Sequence, residues 1–81
     1  VLSNLCLAKS DGGAIYSWNG NRQSRQDNLI EDNIVFNVLG APDGAPAGTY
    51  SGANGIYMDD CTRQVIVRGN TVFNCRGIGI F

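Results

Sequence analysis

No histidine occurs among the 81 residues, charged residues make up only 16%, and no apolar run approaches the length of a membrane span. Each absence excludes something. Without histidine, and without a C-x-x-C spacing among Cys6, Cys61 and Cys75, a structural zinc has no ligand set, and neither metal nor cofactor is expected. A Cys61–Cys75 bridge and three free thiols both fit the cysteine count. Buried free thiols are the commoner state, so cysteine usage does not fix the compartment. Lys9, Arg22, Arg25, Arg63, Arg68 and Arg76 are scattered against seven acids to a net charge of −1, which leaves no basic stripe for nucleic acid. A span would need roughly 18 apolar residues, and "VLSNLCLAKS" lacks the basic and long apolar regions of a signal peptide. The chain starts on Val1 without an initiator Met and stops at Phe81 inside an apolar run. It reads as a single partial domain, residues 1–81, of something longer.

What is present is a repeat. "NLIEDNIVFNV" (28–38) lies over "VIVRGNTVFNC" (65–75) with Asn33 on Asn70, Phe36 on Phe73 and Val38 on Cys75. A second block recurs as "AIYSW" (14–18), "GIYMD" (55–59) and "GIGIF" (77–81). Ile56 to Ile78 spans 22 residues and Ile15 to Ile56 spans 41, with most of the difference in "LGAPDGAPAGTYSGAN", a Gly-, Pro- and Ala-rich surface loop near 39–54. The repeating runs of Ile, Val, Phe and Tyr are too short for helices and read as strands. A β-sandwich also uses short strands, but only stacked coils require the same residue types in register. The sequence therefore predicts an all-β chain of about two to three coils of roughly 22 residues each. An isolated piece of this kind is expected to aggregate or fold marginally, because both coil ends are bare.

The pattern "GIYMDDCTRQVIVRGNTVFNCRGIGI" resembles the right-handed parallel β-helix repeat of pectate-lyase-like proteins. "DGGAIY" and "GIYMDD" are most similar to β-helical glycoside hydrolases of the fucosidase and xylanase type. The resemblance implies a right-handed solenoid, a polysaccharide or glycan partner, flanking coils in the parent protein and an extracellular or periplasmic setting. Hydrolysis is the activity it favours, with a polysaccharide lyase or a non-catalytic glycan-binding coil as alternatives. Three family signatures are missing: the Gly-His-Gly segment of polygalacturonases, the Asp-Pro-His of alginate epimerases, and the calcium-binding carboxylate cluster of pectate lyases.

Alternation along the strands then sorts the side chains. Ile15, Ile56 and Ile78 form one inward column, and Ser17, Met58 and Ile80 another. Tyr16, Tyr57 and Gly79 point out, followed by Trp18, Asp59 and Phe81. Sugar rings lie well on aromatic planes and their hydroxyls donate to carboxylates, so Tyr16, Trp18 and Tyr57 are the candidate substrate-binding residues. The same aromatics could instead cover a sheet beneath the loop.

Asp59, Asp60 and Asp11 are the catalytic candidates, because glycoside cleavage commonly uses two carboxylates, about 5–5.5 Å or about 6.5–9.5 Å apart. As neighbours in a strand, Asp59 and Asp60 diverge, and Asp60 also suits a turn. On a straight strand Asp11 falls on the order of 23 Å from Asp59, at about 3.3 Å per residue, and approaches it only if the chain turns at Gly12–Gly13. Asn33 over Asn70 suggests an amide ladder at a bend, and Glu31 over Arg68 suggests an ion pair between rungs.

Overall fold

The structure, a computed structural model, describes residues 1–22, 27–43 and 45–81; Arg25 and loop position Gly44 lie outside them. Seven strands follow one another: β1 (Leu2–Leu5), β2 (Gly13–Ser17), β3 (Leu29–Glu31), β4 (Ile34–Val38), β5 (Asn54–Met58), β6 (Ile66–Arg68) and β7 (Thr71–Cys75). The described residues contain no helix, so the chain is all-β. Their β-branched and aromatic side chains favour a pleated, half-buried backbone.

All strand pairs are parallel, in three small sheets ordered β1-β4-β7, β2-β5 and β3-β6. The chain visits these sheets in the same order each time. Parallel neighbours need long connections between them, which the intervening strands and loops supply. The pairing keeps the register of the sequence repeat, with Val35 on Val72, Phe36 on Phe73, Val38 on Cys75 and Ile15 on Ile56. Val35, Val38 and Ala53 are wholly buried at the centre, with Leu2, Leu5, Ala14, Ile15, Val72 and Cys75 packed against them. Both Ala14 and Ile15 touch this core, so strict in–out alternation does not hold at the glycine-led start of β2.

The last rung departs from the expected columns. Ile80, not Ile78, bridges Ile56, which moves the segment by two residues and makes that rung 24 residues long, from 56 to 80. Slippage by two keeps the side-chain parity, so pattern alone cannot separate the two registers. The observed one sets Phe81 edge-on against Tyr57 at 5.2 Å and closes four backbone hydrogen bonds to β5. Phe81 thus joins the Tyr16–Tyr57 column rather than that of Trp18 and Asp59, and Ile78, expected in the core, is half exposed.

Two asparagine columns stitch the rungs. Asn33 Nδ2 donates to Asn70 Oδ1 at 3.0 Å, and Asn70 Nδ2 donates to the Ile30 and Arg68 carbonyls. The second column was not read from the sequence as a ladder: Asn74 donates to Asn37, and Asn37 donates to Asn4 at 3.2 Å. Asn4, Asn37 and Asn74 all take positive φ (56°, 56° and 51°), a region Asn tolerates better than other non-glycine residues. Each kinks its strand at the same level. Asn37→Ala removes two amide bonds and places Ala in the left-handed region, so it should cost about 1–3 kcal/mol. Asn37→Gly keeps the backbone freedom and should cost less; denaturant melts of the two variants check the order.

Arg68 meets Glu31 at 2.7 Å as the alignment suggested, an exposed pair contributing about 0.2–1 kcal/mol. Phe36 and Phe73 stack at 5.0 Å. Between β4 and β5 the loop folds back on the body, with the Ala41 amide donating to the Lys9 carbonyl and the Asp11 amide to the Gly52 carbonyl. It thereby overhangs the start of β2. Among the described residues no helix is long and apolar enough to cross a membrane.

Candidate active site

The β2-β5 sheet and the last rung bring three rings into one column. Tyr16 meets Tyr57 edge-on at 5.4 Å, and Tyr57 meets Phe81 in the same manner at 5.2 Å. Edge-to-face contacts satisfy the ring quadrupoles and fix the spacing. Tyr16 is half exposed at 50%, so part of this column is open to a ligand.

Asp59 sits at the end of β5 against these rings. The Tyr16 hydroxyl donates to its Oδ2 at 2.6 Å, and the Asp60 amide donates to its Oδ1 at 2.7 Å. These bonds favour the charged form and hold the Asp59 carboxyl below its ordinary range, the Tyr16 bond contributing most. The Tyr16 phenol is pushed up to about 12, chiefly by that same bond. Burial, followed by the charges of Asp11 and Asp59, pushes Tyr57 to about 12 as well. Near neutral pH both phenols are therefore protonated donors and Asp59 is an ionised acceptor.

A depressed folded-state pKa stabilises the fold above the ordinary aspartate value, about 4, and that stabilisation is lost as pH falls through the lowered value. Tyr16→Phe removes the principal donor. Its expected result is an upward move of the Asp59 titration, read from the side-chain carboxyl carbon by NMR, with a smaller loss of stability below the ordinary aspartate value because the folded and unfolded values draw together.

Asp11 lies closer than a straight strand allows. The Tyr57 hydroxyl donates to its Oδ1 over a long 3.4 Å, and the charge of Asp59 acts on the same phenol. The expected separation on the order of 23 Å is corrected because the chain does turn: Asp11 has φ +48°, precedes Gly12–Gly13 and is tied to the loop at Gly52.

Asp60 enters through its backbone. Its amide caps Asp59 and its carbonyl accepts from the Asn19 amide, within a turn closed by the Thr62 amide on the Asp59 carbonyl with Cys61 at φ +62°. Trp18 is 58% exposed, and its ring lies over Gly20.

The loop adds residues that sequence reasoning missed. A cleft of about 440 Å³ is lined by Asp11, Tyr50, Asn54, Tyr57, Arg76 and Phe81. A second hollow of about 470 Å³ shares Asp11 and Tyr50 and continues past Pro46 and Thr49. Tyr50 therefore walls a groove. A tyrosine placed among Gly, Ser and Ala in "GTYSGANG" was the available signal. No family model matches the chain, and neither does any curated protein or solved structure.

Proposed function

We propose that the chain is a segment of a right-handed parallel β-helix that hydrolyses a glycan, with Asp59 and Asp11 as its carboxylate pair and Tyr16, Tyr57 and Trp18 as the sugar platform. Parallel sheets visited in constant order support the β-helix. The observation that carries the activity is a pair of carboxylates on one open aromatic column, Asp59 bonded by the Tyr16 hydroxyl and Asp11 by the Tyr57 hydroxyl of the edge-on ring pair. Asp59, kept ionised by Tyr16, suits the nucleophile or base, with Asp11 as the second carboxyl group of the pair. Action on polysaccharide outside the cytoplasm belongs to the same proposal.

A second reading is glycan binding without cleavage. It is favoured by the closure of the Tyr16, Asp59 and Asp60 hydrogen bonds on one another, which is the habit of a structural cluster. The chain has one tryptophan, so Trp18 emission on addition of oligosaccharides reports binding while reducing-end release reports cleavage. Binding with new reducing ends supports hydrolysis. Binding without them supports the second reading, and the absence of both removes carbohydrate from the account.

A further inference from the structure

We infer that the cleft beside Tyr57 contains a subsite for an anionic group, a carboxylate or sulfate ester carried on the glycan, held by Arg76, Asn54 and Tyr50. This rests on the glycan reading for its carrier but not for its anion chemistry.

Asn54 opens β5 and is only 8% exposed. Its side-chain oxygen accepts the Ile78 amide at 2.8 Å, and only an oxygen can accept from an N–H, so the amide's orientation is fixed. The NH₂ end then has no partner among the described residues, although Asn54 lines the cleft. That nitrogen is not itself buried, so it stays open to water or to a ligand in the cleft.

Two more donors stand beside it. A methyl group at Gly77 would overlap both the Tyr50 hydroxyl and the Asn54 side-chain oxygen, which places those two groups together over Gly77. Gly77 is the residue after Arg76, which also lines the cleft and has no partner among the described residues. The Asn54 side chain, the Tyr50 hydroxyl and Arg76 are thus neighbours along one cleft. The guanidinium fork matches the paired oxygens of a carboxylate or sulfate. Asp11 is the carboxylate of the same cleft, and its oxygen is engaged by the Tyr57 hydroxyl.

The test titrates the chain with neutral, uronate-bearing and sulfated oligosaccharides of equal length, and with free glucuronate and inorganic sulfate, following the Asn54 side-chain amide and Arg76 Nε–H signals by NMR. The expected result is tighter binding of an anionic member than of the neutral one, lost about tenfold in Arg76→Gln while neutral binding is unchanged. Preference between uronate and sulfate members identifies the source of the charge. If no oligosaccharide binds yet glucuronate or sulfate shifts the Asn54 and Arg76 signals, the subsite stands and the glycan reading falls. Equal binding of neutral and anionic members, or no response to any anion, overturns the subsite. Arg76→Lys separates charge from fork geometry: full retention of anion binding would overturn the bidentate contact.

Discussion

Replacing Asp59 with Asn should lower the rate of glycan cleavage by about 10²–10⁴, the range for removing a group that moves a proton or attacks in the transition state. The substitution is nearly isosteric: its one oxygen keeps the Asp60 amide, and its NH₂ takes the Oδ2 position and donates to the Tyr16 hydroxyl, so the fold and the aromatic column should survive. Binding of the glycan should change little, which separates this outcome from simple loss of the site. Asp60→Asn is the internal comparison. Asp60 takes part through its main-chain amide, which the substitution preserves, so its rate should stay within a few-fold of the parent. Equal losses in the two variants would mean that the cluster acts through charge alone; unchanged turnover in Asp59→Asn would remove it from the chemistry. The measurement is initial-rate release of reducing ends, in this chain and in any longer protein that carries it.

The second large effect is expected at Gly55. A methyl group there would overlap the Val72 side chain and the Gly79 carbonyl, and that carbonyl accepts the Ile56 amide at 2.8 Å. The last rung can pass this close only because residue 55 has no side chain. Gly55→Val should therefore push the rung away, at a cost of about 3 kcal/mol or more, since a backbone must move rather than a flexible side chain. The Ile56, Met58 and Phe81 amides, which bond between β5 and the rung, should lose hydrogen-exchange protection first. Gly79 supplies the contrast. A methyl group at that position meets Val72 at an ordinary 3.7 Å, so Gly79→Ala should stay within about 0.5 kcal/mol of the parent. Because Phe81 rides on the rung, Gly55→Val should also weaken ligand binding.

Much of the sheet arrangement was legible because side-chain identity recurs where parallel strands must stack. Phe36 over Phe73 and Glu31 over Arg68 are each a contact that rewards being in register. The final rung was less legible because "GIGIF" offers two registers of equal parity, and the observed one is marked by contacts that pattern does not encode, the Phe81 ring on Tyr57 and the backbone bonds to β5. Asn4 escaped notice as the first member of a ladder because its neighbours, Ser3 and Leu5, share no residue type with Phe36 and Val38. The backbone kink, not the sequence string, is what the three asparagines have in common.

At the candidate site the same distinction holds. Tyr16 and Tyr57 lie on strands and Asp59 directly follows one, where alternation and register place a side chain from its position alone. Asp11, Tyr50 and Arg76 lie outside the strands, where a single φ or the folding back of a loop decides what they face. Asp11 shows the size of that effect, since one left-handed residue brings it to the Tyr57 hydroxyl.

The measurement that tests the central claim most directly is amide chemical-shift mapping of the chain during titration with a panel of oligosaccharides. The account predicts that the perturbed amides cluster at Asp11, Tyr16, Tyr57, Asp59 and Phe81, on the face where two tyrosine hydroxyls hold two carboxylates. Perturbations confined to the exposed β3-β6 face around Leu29 and Ile66, or none at saturating oligosaccharide, would contradict it.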